Sequence, residues 1–448
     1  MQRALRFAAV GLVLLCQCGG SASLRAAEAG RLTGLSAVVA AEVKRGELDE
    51  GEAVDLARAI LRRDVAGAAG DEGAARIRGL AGCAWPLDRA LEHRAEDADV
   101  AAAAAAMVRL EAGLASREDF VHWASEAPGG PRSAFRAVGA RALSGPDDGA
   151  LRRKLFLDAD QAVRLAALRA SERAASASDA DAVLDAARVD PFPMARTQAV
   201  RAAGAIGGER VVLALKDLWA AADPVLREAI ADAWGTPASI DAGGRRELSW
   251  AADTQGGAPA IAAAYALVRA GNHTTTPMPT GPGVADAIGV IERAIKSGVT
   301  HERTFAITIA PLSAPALQNA VIEASKDVDD DVALAATIRR LDTAVGAGAG
   351  GASPLDRPAL LAKLFAAASS GEKMRGLVAR NALARLGVRD VLPLLDKEAS
   401  SPDAQARKAA GTAFVALGEL PRAAVLAADA DARVRDGVAC SLLMHAAR

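Results

Sequence analysis

An arginine returns along this chain at near-constant spacing, each time after an apolar residue and within an alanine-rich stretch. The instances are Phe135-Arg136, Val163-Arg164, Ala195-Arg196, Leu226-Arg227, Met374-Arg375, Ala406-Arg407 and Val434-Arg435. The steps are 28 residues from Arg136 to Arg164, 32 to Arg196 and 31 to Arg227, then 32 from Arg375 to Arg407 and 28 to Arg435. Self-similarity at a period of about 30 residues marks a stacked-repeat fold, in which each unit hides its apolar face only against the next. Composition says what the unit is made of: 51% of residues are hydrophobic but only 3% aromatic, with alanine supplying much of the apolar share. That balance favours helices over sheets. A single core of 448 residues would ordinarily divide into domains, and a stack escapes that limit.

Aligned on the arginine, positions −1, +3 and +7 read Val163, Ala167 and Ser171; Ala195, Ala199 and Ala203; Leu226, Ile230 and Trp234; Val434, Val438 and Leu442. That spacing puts one side chain per turn on a single helix face. The residues are small to medium, so a neighbouring helix can approach closely. Helix starts are expected at Asp190-Pro191, Asp223-Pro224 and Ser401-Pro402, which pair an N-cap residue with proline at the first helical position. Gly204, Gly207, Gly235, Gly387 and Gly418 are expected to end first helices, with a second apolar helix following, as at Val211–Trp219.

Asp-Pro-x-x-x-apolar-Arg, an alanine-rich helix, a glycine turn and a second apolar helix together resemble the HEAT repeat. The resemblance is to the short HEAT-like form of phycobilin lyases, as found in exported bacterial HEAT-repeat proteins; the best copies are residues 190–221, 369–400 and 401–428. It implies an all-α, right-handed α-solenoid of about ten helical-hairpin units. It also implies a ladder of Asp–Arg bonds between units. On that resemblance the ladder residues are Asp190 with Arg196 and Asp429 with Arg435, joined by Arg164, Arg227, Arg375 and Arg407.

The chain divides in sequence into a leader at 1–29, a helical N-terminal cap region at 30–95 and HEAT-like repeats at 96–270. A loop at 271–283 then precedes degenerate repeats at 284–343, a Gly/Ala-rich linker at 344–354 and C-terminal repeats at 355–448. Arg3 and Arg6, the apolar Phe7–Leu15 run and the small residues Gly19–Ser23 read as a secretory signal peptide. The cut is expected after Ala29, or alternatively after Ala22-Ser23; the other alternative is a lipoprotein signal with a lipid anchor at Cys18. No later stretch is apolar for long enough to span a membrane. Cys83 and Cys440 then remain near opposite ends of the mature chain. In a stack built in sequence order they cannot reach disulfide distance, so free buried thiols are expected.

Nothing in the sequence carries catalysis. Gly346-x-Gly348-x-x-Gly351 matches a dinucleotide fingerprint in letters, but it follows a helical run and opens no βαβ unit. His93, His122, His273, His301 and His445 stand at no metal-ligand spacing from one another or from a cysteine. Asp329, Asp330 and Asp331 form a charge run at a helix start, which the helix dipole favours. Neither a cofactor nor a metal is expected. With 53 Lys+Arg against 55 Asp+Glu, no global field calls for nucleic acid. The expectation is a non-enzymatic scaffold of the bacterial cell envelope, periplasmic or secreted, which holds a protein partner along the concave face of the solenoid. Lys216, Asp217, Arg245, Arg246, Lys363 and Lys397 are the candidate contact residues on that face. The alternative is an enzyme or enzyme subunit of the HEAT-like lyase type.

Overall fold

The computed structural model describes residues 21–67, 117–125, 133–271, 281–345 and 355–446. Among the described residues every regular element is a helix, and the architecture is a helical-repeat solenoid. The chain forms two compact units: Leu114–Ala382, and a discontinuous one made of Met1–Gly113 with Leu383–Arg448.

In the first of these, one helix of each hairpin packs on its equivalent in the next. The row runs Ser133–Ala142, Gln161–Ala174, Pro193–Ile206, Pro224–Trp234, Gly257–Gly271, Thr300–Ile309 and Asp330–Val345. A second row lies beside it, including Ala180–Val189, Glu209–Ala221, Arg245–Thr254, Val284–Ser297 and Pro315–Ala324. The −1, +3, +7 face is the contact face: Val163, Ala167, Ser171, Ala195, Ala199, Ala203, Ile230 and Trp234 are all fully buried. The indole of Trp234 stacks on Trp219 with ring centres 5.2 Å apart and donates to the Val212 carbonyl at 3.2 Å. The unit at Arg375 departs from this register. Met374 and Val378 are exposed, while Ala379, Ala382 and Leu383 are buried, so the helix has turned about one residue relative to its equivalents.

Several local expectations shift. Gly204 ends nothing; it lies inside Pro193–Ile206, where an added Cβ would stand 2.6 Å from the Ala233 Cα. Its missing side chain lets adjacent first helices touch. The turn is made by Gly207, with φ 68°. Asp223 caps its helix as expected, accepting the Leu226 N–H at 2.9 Å ahead of Pro224. Asp190 does not: the helix starts two residues later, at Pro193, and Asp190 instead takes the Phe192 N–H at 2.8 Å. Ser401 likewise yields the cap to Asp403.

The discontinuous unit revises the expected division of the chain. The 30–95 region was expected to close the start of the array, yet helix Glu50–Gly67 packs on the last helix, Ala432–Ala446, and on Leu420–Ala427. The physical reason is cover. The last helix presents Val434, Val438, Ala439, Leu442 and Leu443, and Ala53, Leu56, Ala57, Ile60 and Leu61 are buried on the N-terminal helix. Helix Ala22–Glu28, inside the expected leader, also belongs to this unit, packing on Leu35–Arg45 and Glu50–Gly67. The free-thiol expectation fails for Cys440, which is disulfide-bonded. Its premise, an array whose two sequence ends stay apart, is what this unit contradicts. Cys16, Cys18 and Cys83 lie outside the described residues, as do His93, His273, Gly346, Gly348 and Gly351, residues 272–280 of the loop and 346–354 of the linker.

Candidate functional site

The recurring arginines do one structural job, with a pairing different from the one expected. Arg164 donates from Nε and Nη2 to the two oxygens of Asp190, at 2.7 and 3.1 Å, and from Nη1 to the Asp158 carbonyl at 2.9 Å. Arg407 treats Asp429 the same way, at 2.7 and 3.0 Å, and caps the Ser401 carbonyl at 2.9 Å. Arg136 reaches Asp158 at 3.1 Å, and Arg303 reaches Asp327. Arg164 and Arg407 therefore tie the loop before their own helix to the aspartate of the following unit. The ladder runs between adjacent units, but Asp190 does not pair with Arg196, nor Asp429 with Arg435. Asp190 belongs to Arg164, and Arg196 lies 3.6 Å from Asp223 in a half-exposed pair. Arg435 donates to the backbone carbonyls of Asp429 and Ala430, both at 2.8 Å. Arg227 bonds the Trp219 carbonyl at 3.1 Å, and Arg375 turns back to Asp330 and Asp331 at 2.8 and 2.9 Å. The geometry has a simple cause. An aspartate that opens a helix through an i+2 backbone bond, as Asp190 and Asp429 do, faces the preceding unit.

A second rung escaped the sequence reading. Arg152 and Asp179 are both fully buried, 2.7 Å apart, with Ser171 and Arg153 also donating to Asp179 at 3.0 and 2.9 Å. Neither residue falls on the Asp-Pro-x-x-x-apolar-Arg pattern, so only their burial marks them.

Of the six candidate contact residues, two pair with a buried carboxylate. Glu247 is fully buried in the first turn of Arg245–Thr254, and Lys216 approaches it at 2.7 Å and Arg246 at 2.9 Å. The Lys216 ammonium also stands 5.3 Å from the Trp250 ring centre. Lys216 and Arg246 are thus engaged in a local charge cluster, Arg245 is half-buried, and Asp217 is exposed. Lys397 is exposed in the other unit.

Lys363 is placed differently. It lines a cleft of about 390 Å³ with Ser325, Lys326, Asp327, Thr337, Ser370 and Arg375. The walls are the starts and faces of Asp330–Val345 and Arg357–Ala368, on either side of the Gly/Ala-rich break in the period. Two of its carboxylates are already committed. Asp327 is bonded by Arg303 and by the Asp329 N–H, which hold its carboxyl below the ordinary range. Asp330 is bonded by Arg375. The Lys363 ammonium has only the Ser325 carbonyl, at 3.1 Å, and among the described residues Lys326 has no bonded carboxylate. Ser370 Oγ is buried without a hydrogen-bond partner. Beside the lining residues in sequence stand Val328, wholly exposed, and Met374, 60% exposed. The cleft thus combines the apolar lining residues Ala333, Leu334, Ala366 and Ala367 with two cations available to an acceptor. Among the described residues no group of histidine, cysteine or carboxylate side chains could hold a metal, and no helix is long and apolar enough to cross a membrane.

No family model and no curated protein matches the chain. Solved structures similar to it include an engineered protein, 17% identical over 83% of this chain and 96% of that one, at a TM-score of 0.27. Kap121p bound to Pho4p is 13% identical, with coverages of 83% and 44% and a TM-score of 0.27. Kap121p bound to Ste12p is 14% identical, with the same coverages and a TM-score of 0.26. The chain thus spans less than half the length of the Kap121p chains, and superposition at such scores transfers nothing from them.

Proposed function

We propose that this chain is a non-enzymatic protein-binding scaffold of the bacterial cell envelope, which holds a partner along the stacked helices and engages an acidic side chain of that partner in the cleft at Lys326 and Lys363. The observation that carries the reading is the cleft, lined by the apolar residues Ala333, Leu334, Ala366 and Ala367 and by two ammonium groups that no carboxylate among the described residues matches. An apolar lining around a few placed charges suits protein recognition, where apolar contact supplies affinity and charge supplies register. The disulfide at Cys440 is consistent with an oxidising compartment, which supports export.

The test is capture of partners by the C-terminally tagged chain from cross-linked envelope extract, read by mass spectrometry and repeated with Lys326→Glu/Lys363→Glu. One protein recovered stoichiometrically by the wild type and lost with the double variant is the expected result. Equal recovery with both chains removes the cleft from the reading, and recovery of no protein removes the scaffold itself.

A further inference from the structure

We infer that removal of the leader ends at or before the Ser21–Ala22 bond, so that the exported chain keeps helix Ala22–Glu28. This rests on the export reading and fixes a processing boundary that the sequence left eight residues later, after Ala29, or two residues later, after Ser23.

The argument is one of burial and bonding. Ser23 and Ala27 are fully buried where this helix meets Leu35–Arg45 and Glu50–Gly67. The Ser23 N–H donates to Glu42 Oε1 at 3.1 Å and its hydroxyl donates to Oε2, so one residue serves both oxygens of a carboxylate that is itself only 2% exposed. Ser21 Oγ accepts the Leu24 N–H at 3.2 Å and caps the helix. A cut after Ala29 strips both donors from Glu42 and uncovers the apolar sides of two helices that Ala27 closes. An ionised group that loses its partners inside a protein is among the costliest changes a fold can meet. A cut after Ser23 likewise removes the residue that serves both Glu42 oxygens. A cut at Ser21–Ala22 gives up the Ser21 cap but disturbs neither bond to Glu42, and it has Gly19 and Ser21 at the two positions where the peptidase requires small residues. Removing residues 1–21 also takes away Cys16 and Cys18, leaving a chain with two cysteines, Cys83 and Cys440.

The experiment is expression of the full chain with a C-terminal tag in a secreting bacterium. Intact mass and N-terminal sequencing of the exported product then give the first residue. A start at Ala22 or earlier is expected, a lipid-bearing start at Cys18 included, since that chain also keeps the helix. A start between Ser23 and Gly30 overturns the boundary while leaving export intact. An uncleaved chain retained in the cytoplasm overturns export, and the boundary with it. As a second measurement, chains starting at Ala22 and at Gly30 are purified and compared. The shorter one is expected to melt at a lower Tm and to lose amide protection in Leu35–Arg45; equal Tm and equal protection overturn the structural role of the helix.

Discussion

Replacing Arg152 with alanine is expected to cost about 3–5 kcal/mol, the range for breaking one side of a buried ion pair. The magnitude follows from what the guanidinium holds. It donates to Asp179 at 2.7 Å and to the carbonyls of Leu143 and Gly145 at 2.8 and 2.7 Å, with no exposed surface on either member of the pair. The variant takes this donor from the buried Leu143 carbonyl and from the half-buried Gly145 carbonyl, which keeps the Asp148 N–H at 3.2 Å. Asp179 is left with Ser171 and Arg153, the latter 37% exposed. Arg196→Ala is the control. Its pair with Asp223 is 3.6 Å long and 30% and 51% exposed, a geometry worth at most about 1 kcal/mol. Urea unfolding monitored by circular dichroism gives both values, with unchanged m-values licensing the comparison. The single variants Arg152→Met and Asp179→Leu and the double variant Arg152→Met/Asp179→Leu form a mutant cycle, in which the double should cost clearly less than the two singles together, because no charge is left stranded. An Arg152→Ala loss within about 0.5 kcal/mol of zero would refute the buried rung, since that is the scatter of surface substitutions.

Gly204→Val should destabilise by about 1–3 kcal/mol through overpacking, because its Cβ would meet Ala233 at 2.6 Å; thermal melts with Gly256→Val as the open-space comparison check this. Trp234→Ala empties a fully buried site stacked on Trp219 and should cost about 3–5 kcal/mol in urea, with a matching loss of near-ultraviolet aromatic signal. Acid should weaken the Arg303–Asp327 rung. Because the folded carboxyl titrates below its unfolded value, its contribution is complete above about pH 4 and is lost as pH falls through the folded value. Asp327→Asn should therefore flatten the fall in stability between pH 5 and pH 3, and an unchanged slope would remove Asp327 from the acid response.

Pattern alone carried the repeat. The period, the −1, +3, +7 face and the cap at Asp223 depend on bonds and contacts within a few residues, and those recur in sequence wherever they recur in space. The arginine and aspartate types were legible for the same reason. Their pairing was not, because Arg164 and Asp190 meet across 26 residues and only the stacking of one unit on the next decides which aspartate an arginine faces. Arg152, Asp179 and Glu247 carry no signature at all; they are charges whose burial depends on neighbours from other helices. The turned helix at Arg375 and the cleft at Lys363 likewise arise where packing leaves the period.

By itself, then, the sequence determined that this chain is a stack of helical hairpins, since each unit's apolar stripe is a local property with one efficient way to be covered. Only the tertiary structure decided how the array ends. The last helix needs an apolar cover, and Glu50–Gly67 supplies it from more than 350 residues away in sequence. The same closure sets Ser23 against Glu42 and makes a helix in the expected leader part of the folded unit. No periodicity could announce that contact, because burying an end face depends on which surface is free to meet it, and a surface exists only once the chain has folded.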